Sequence, residues 1–373
     1  MGDLQGNPNY SNVGGSAAAK ESYSKALQQA EALRAKNPKD IQTRLDIARV
    51  NMRVGDLSEY TDQAEALKSY RQAQVSLKSL VSPDPAVKKS LMTVFERIGT
   101  VQLQLGDTSS ALNSFQRDLQ IAQELFDADR NDPRAHRRVA MAYDKLGETL
   151  ANTGAVPEGL EKLNAARSIY AKLAASSPQS PARADVATED MVIGEVHYKT
   201  GKMGDAAESY GSALKAFENL VAEDPKNTQY KRGLYDTRIR LANVLYKLGK
   251  RQQARYFTED ALALLKPMVD APGDEIEIFY YCDFLLTTPF RDLQAPALAR
   301  DYAEQLVSTG GKNPDKLDLL ARAYDASGDR TRAVQTEKEA LALLPPNSTS
   351  NSRTDFEKNL AKFLARAERQ QPK

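Results

Sequence analysis

An all-α solenoid of antiparallel helix pairs is the fold class this sequence predicts, and three observations carry the reading. Apolar residues recur at helical spacing in one segment after another. A small–aromatic–small triplet at i, i+4, i+7 returns at a near-constant period. Turns containing Gly or Pro punctuate the periodic segments.

Residues 181–227 show the unit most plainly. Met191, Ile193, Val196 and His197 share one side of a first helix. Gly201, Lys202, Met203, Gly204 and Asp205 read as a helix stop and a new start. Ala206, Tyr210 and Ala213 then fall on one face of a second helix. Small residues at 206 and 213 let the helices approach, and Tyr210 fills the space between them. Asp224-Pro225 ends the helix, because Pro disfavours the helical region for its predecessor.

The triplet recurs as Ala19, Tyr23, Ala26; Ala66, Tyr70, Ala73; Ala111, Phe115, Asp118; and Gly159, Leu163, Ala166. After Ala206, Tyr210, Ala213 it returns as Ala254, Thr258, Ala261; Ala299, Ala303, Leu306; and Ala333, Glu337, Ala340. First members are 47, 45, 48, 47, 48, 45 and 34 residues apart, a period that signals stacked helical repeats. Ile98-Gly99, Leu146-Gly147 and Ile193-Gly194 each precede a second Gly by seven residues; the next copy has Ala242 before Gly249.

In chain order, an opening rich in turn formers (Asn7-Pro8-Asn9-Tyr10, Gly14-Gly15) precedes a helix from about Ser16 to Lys36. That helix reads as the second of a pair whose first is missing. Either residues 1–15 supply a cap or the partner precedes Met1. Helix pairs follow over Ile41–Ser82, Ala86–Asp132, Arg134–Pro178, 181–227, Thr228–Val269, Glu275–Thr309 and Asp315–Leu344. An irregular link is expected at Leu57–Gln63 and a longer one at Thr287–Pro296. The array occupies 1–346. A polar linker and a capping helix fill 347–373, with Ser352 or Thr354 as N-cap and Phe356, Leu360, Phe363 and Leu364 on one face.

These residues resemble the tetratricopeptide repeat (TPR) family. The likeness is strongest in 315–345, where Leu317, Leu320, Ala321, Tyr324, Gly328, Ala333, Ala340 and Pro345 match its large, small and turn positions. The resemblance implies a right-handed superhelical, TPR-like solenoid with long repeats of about 45–48 residues. A narrower resemblance joins the opening GDLQGNP and residues 284–346 to repeat regions that follow the catalytic domain of some bacterial serine/threonine protein kinases. It implies bacterial signalling and an upstream kinase domain in the intact protein. The chain itself has no Gly-rich phosphate loop, no His-Arg-Asp catalytic loop and no Asp-Phe-Gly.

Charge is high, at 27%, but balanced to a net of +1, which gives no bulk attraction to nucleic acid. One cysteine, Cys282, lies in an apolar run and reads as a small core residue; an internal disulfide needs two. No run of 18 apolar residues and no signal pattern appears, so no direct membrane insertion is expected. The expected location is cytoplasmic, or extracytoplasmic if the intact protein places a membrane span before the repeats. His136 and His197 fall in different repeats, without metal spacing; His197 reads as a half-buried packing residue. No catalytic, cofactor-binding or metal residues are assigned, and the expectation is a protein that is not an enzyme.

Binding is the expected role, on the concave face that first helices line. The candidate residues are Glu148 and Asn152; Glu195, Tyr198 and Lys199; Asn243, Tyr246 and Lys247; and Arg322 and Asp325. The Tyr-Lys step at 198–199 repeats at 246–247. With helices about 8–10 Å apart, it would form a ladder able to grip an extended acidic or aromatic peptide. The plainer alternative has each Tyr packed between helices and each Lys solvated. Glu195 stands where the family's carboxylate clamp needs an amide, so that site does not carry over. The first functional reading is a scaffold that binds a protein or peptide. A sensor of a small ligand or short signalling peptide is the second, and the repeat tail of a larger kinase is the third.

Overall fold

The computed structural model describes residues 16–59, 62–78, 84–176, 181–270, 275–310, 313–344 and 351–369. These hold sixteen α-helices, one 3-10 turn and no strand. Packing divides the chain into two compact units, Met1–Ser180 and Pro181–Lys373. The first contains α1 (Ser16–Lys36), α2 (Ile41–Ser58), α3 (Gln63–Lys78), α4 (Pro85–Gln104), α5 (Thr108–Ala128), α6 (Pro133–Asn152) and α7 (Val156–Ser176). The second contains α8 (Ala182–Lys199), α9 (Met203–Glu223), α10 (Thr228–Lys247), α11 (Arg251–Val269), α12 (Glu275–Thr287), α13 (Pro296–Gly310), α14 (Pro314–Ser327), α15 (Arg330–Leu343) and α16 (Asn351–Glu368). Within each unit every helix packs on its neighbours in sequence. Each unit is therefore an array of helix pairs with a local core.

Local chemistry sets the boundaries. Asp132 caps α6 by accepting from the Arg134 amide at 2.9 Å, with Pro133 as first helical residue; Asn313 and Pro314 do the same for α14. The Asp-Pro and Asn-Pro steps that separate repeats in the sequence thus start the next helix. Most first helices end on a glycine of positive φ, as at Gly201 (φ 78°), where the Lys202 amide reaches back to the His197 carbonyl at 2.8 Å. The link after α12 carries the 3-10 turn, Arg291–Leu293.

The triplet is the core of each pair. Ala66, Tyr70, Ala73, Ala111, Phe115, Ala206, Tyr210, Ala213, Ala254, Ala261, Ala333 and Ala340 are all buried. Gly194 and Tyr210 show why the aromatic fits: a Cβ on Gly194 would stand 2.7 Å from the Tyr210 ring. Thr258 replaces the aromatic in α11, and there Ala242 replaces the glycine. Ala19 and Tyr23 of α1 are buried against α2, whereas Ala26 is only half-buried.

Two local expectations are corrected at the C-terminus. Helix α16 starts at Asn351, so Ser352 and Thr354 lie inside it and neither precedes it as a cap. Phe356 and Phe363 are buried and Leu360 half-buried, but Leu364 is 38% exposed. The i, i+7 phenylalanines make the packed stripe, and Leu364 lies beyond its edge. The cap expected of residues 1–15 and the linker 347–350 lie outside the described residues.

Candidate functional site

In the unit Pro181–Lys373 a pocket of about 320 Å³ opens among α8, α10 and α12. Glu195 and Tyr198 come from α8. Tyr235, Asp236, Ile239, Arg240 and Asn243 come from α10, and Tyr280, Asp283, Phe284 and Thr287 from α12. These are first helices of successive pairs. The 3.6-residue period turns positions four or seven apart toward one side, as at 236, 240 and 243. Tyr210 reaches in from α9 beneath them.

Charge at the pocket is paired. Glu195 Oε2 accepts from the Tyr210 hydroxyl at 3.0 Å and from Arg240 Nη1 at 2.7 Å. Arg240 Nε also donates to Asp236 at 2.9 Å. The guanidinium therefore bridges two carboxylates on neighbouring helices. Burial raises the Asp236 carboxyl, with Arg240 opposing. Burial likewise raises the Tyr210 and Tyr235 phenols, and nearby carboxylates add to it. One helix further on, Asp283 pairs with Arg322 at 2.6 Å, and Arg322 also holds Asp318 at 2.8 Å. What stays open to solvent is aromatic and polar: Tyr280 is half exposed, and Asn243 is exposed.

The candidates named from sequence are only partly brought together. Glu195, Tyr198 and Asn243 line one pocket. Lys199 lies 3.6 Å from Glu195. The Lys247 ammonium sits 4.2 Å over the Tyr198 ring, a cation–π contact between α10 and α8. Tyr246 instead packs edge-on against Phe290 at 5.6 Å between centroids. The two Tyr-Lys steps thus interlock instead of standing as parallel rungs. Arg322 reaches the pocket's edge through Asp283. Asp325 is buried and paired with Arg366 of α16. Glu148 lies half-buried and Asn152 exposed on α6, in the unit Met1–Ser180, with Glu148 at 3.9 Å from Lys145.

Sequence reasoning missed Asp236, Arg240, Tyr280 and Asp283. The available signal was register: Arg240 lies 45 residues after Glu195, one repeat on, and Asp283 lies 43 after Arg240. His197 is a packing residue with its side chain 16% exposed and 3.9 Å from Asp205; burial holds its pKa down. Cys282 is fully buried, and burial pushes its thiol up to about 12, away from nucleophilic chemistry. Among the described residues no group of three His, Cys, Asp or Glu is placed to hold a metal, and no helix is long and apolar enough to cross a membrane.

Solved structures share the fold. BtubC (BKLC) from P. vanneervenii superposes with a TM-score of 0.53 at 19% identity, over 68% of this chain and 92% of that one. The apo form of the quorum sensor NprR from B. thuringiensis gives a TM-score of 0.50 at 14% identity, over 88% of this chain and 84% of that one. A tetratricopeptide repeat protein from Parabacteroides merdae aligns over 92% of this chain at 15% identity, with a TM-score of 0.42. At these identities the likeness concerns fold: the chain is a TPR-like helical-repeat protein. No protein-family model matches the sequence, and no curated protein does.

Proposed function

We propose that this chain is a non-catalytic peptide- or protein-binding module, and that the unit Pro181–Lys373 holds one side chain of an extended ligand in the pocket among α8, α10 and α12. The observation that carries the reading is the combination there of four tyrosines with a charge-paired floor. Tyr198 and Tyr280 supply accessible apolar area at low entropic cost, above the buried rings of Tyr210 and Tyr235. Glu195, Arg240 and Asp236 satisfy one another, so an aromatic side chain can enter without stripping an unpaired charge of water. Asn243, exposed at the edge, offers both a donor and an acceptor to a peptide backbone. The fold shared with the quorum sensor NprR and the resemblance to kinase-linked repeats favour a regulatory or assembly role in bacterial signalling.

The test is a selection of random peptides displayed on phage against the full chain and against Asn243→Ala/Tyr280→Ala. Both positions are exposed, so the variant keeps its fold. Enrichment of peptides sharing an aromatic residue, lost on the variant, is the expected result. Peptides retained equally by the variant would move the site elsewhere, and no enrichment on the wild type would overturn peptide binding here.

A further inference from the structure

Within the unit Met1–Ser180 the repeat pattern places a buried carboxyl group where packing offers no reason for one. The third member of the triplet is Ala26, Ala73, Ala166, Ala213, Ala261 and Ala340 in six copies, the apolar Leu306 in another, and Asp118 in α5. Asp118 is 5% exposed, and its Oδ1 is sealed from solvent with no hydrogen-bond partner. An alanine would pack there without cost, whereas a buried carboxyl oxygen without a donor is unfavourable. The side chain lines a pocket of about 480 Å³ among α4, α5 and α6, within the unit Met1–Ser180. Inside it, Glu96 of α4 and Asp144 of α6 join Asp118, and the Asp144 Oδ1 also has no partner. At the mouth, Arg134 and Arg137 are exposed on the first turns of α6. The pocket therefore holds three carboxyls beside the half-buried Arg138, with two exposed guanidinium groups at its mouth.

We propose that this pocket binds a zwitterionic ligand cation-first: an ammonium or guanidinium group enters to meet Asp118, Glu96 and Asp144, and a carboxylate of the same ligand meets Arg134 and Arg137. Met92 and Met141 give its aliphatic part a surface between the two poles. A free basic amino acid and a basic residue at the C-terminus of a peptide share this chemistry, each carrying a side-chain cation and an α-carboxylate. The site is separate from the peptide pocket of α8, α10 and α12 and stands or falls independently of it.

Proton linkage follows from the surroundings. Burial first, then the Glu96 charge, push the Asp118 carboxyl up to about 8, with Arg138 opposing. Burial pushes Asp144 up to about 6, with Lys145 opposing and Glu148 adding. The charged groups facing Asp118 are Glu96 from α4 and Arg134, Arg137, Arg138, Asp144 and Lys145 from α6. At neutral pH Asp118 is mostly protonated. A cation binds its ionised form, so binding releases a proton and strengthens as pH rises toward about 8.

Titration calorimetry on the full chain tests this with three probes: free arginine, argininamide, and a short peptide ending in arginine. Wild type is expected to bind arginine or the peptide saturably at neutral pH, with a heat that depends on the ionisation enthalpy of the buffer. The tighter of the two identifies the ligand's source. Argininamide lacks the carboxylate and is expected to bind at least about tenfold more weakly. Asp118→Ala restores the residue of the sister repeats. It is expected to abolish binding and to raise the melting temperature. Three results would overturn the proposal: no saturable binding of any probe, unchanged binding to Asp118→Ala, or a lowered melting temperature in that variant, which would make Asp118 a packing residue.

Discussion

The Tyr210 ring lies over Gly194 so closely that a single methyl group at 194 would meet it at 2.7 Å, while its hydroxyl donates to Glu195 at 3.0 Å. Ring and hydroxyl together tie the second helix of the pair to the first. The relation recurs with Gly99 under Phe115, where an added Cβ would meet the ring at 2.6 Å. Gly194→Ala is therefore expected to destabilise the protein by about 1–3 kcal/mol through overpacking. Gly211→Ala, in the same pair but with nothing within 4 Å, is expected to stabilise it by roughly 0.5–1 kcal/mol, because glycine is a poor helix former. Urea denaturation of the two variants should shift the midpoint in opposite directions. Adding Tyr210→Thr to Gly194→Ala copies the Ala242/Thr258 pair and should recover part of the loss.

The Arg232–Glu277 ion pair joins α10 to α12 across the repeat boundary. Glu277 is fully buried, and its Oε2 accepts from Arg232 Nη2 at 2.9 Å. Removing the cation leaves a carboxylate in low dielectric, so Arg232→Ala is expected to cost about 3–5 kcal/mol. Arg255→Ala is the control: its pair with Asp292 is exposed and screened by solvent, and its loss should leave the denaturation midpoint nearly unchanged. Equal effects of the two substitutions in denaturant titrations would contradict this ranking.

The architecture was legible because repeats state their rules many times. Helix period, glycine turns and the small–aromatic–small triplet each recur, so the pairs could be placed from 41 to 344 and α1 to its ends. The site was less legible because it is made by side chains on different repeats. Glu195 and Arg240 are 45 residues apart, and nothing local to either marks the pair. The interlocking of Lys247 with Tyr198 depends on which rotamer each helix face permits, which spacing alone does not carry. Asp325 looked available in the sequence, but a helix 41 residues further on claims it.

Glu337 makes stability depend on pH with a definite sign. It occupies the aromatic position of the last triplet and is fully buried beside the Asp318 carboxyl. Burial first, then the Asp318 charge, raise its carboxyl well above the ordinary range. The folded protein thus keeps a proton that the unfolded chain loses near pH 4.5. Its contribution is fully present below that value and falls as pH rises toward the raised native value. The slope is at most about 1.4 kcal/mol per pH unit. Glu337→Gln keeps the shape and cannot titrate, so the gap between variant and wild type should widen from about pH 5 to about pH 8 in the variant's favour. Denaturation curves that stay parallel over that range would rule this out.

Docking of α16 rests on a small set of contacts whose removal has a local readout. Phe356 and Phe363 bury against α14 and its neighbours. Arg366 pairs with Asp325, Asn359 Nδ2 donates to Asp318 at 2.8 Å, and Arg330 Nη1 donates to the Arg366 carbonyl at 2.7 Å. The Asp325 side chain is 4% exposed, so Arg366→Ala leaves a buried carboxylate and is expected to cost about 3–5 kcal/mol at this end of the array. In an array whose helices pack on sequence neighbours, that loss should not spread evenly. Hydrogen exchange is expected to quicken in α16 first, then in α14 and α15, with α8 and α9 unchanged. Asp325→Asn/Arg366→Leu removes both charges and should restore most of the protection, because the cost lies in the unpaired carboxylate and not in the absence of the ion pair. Uniform acceleration across the unit Pro181–Lys373 would mean that α16 holds the whole array together and does more than close its end.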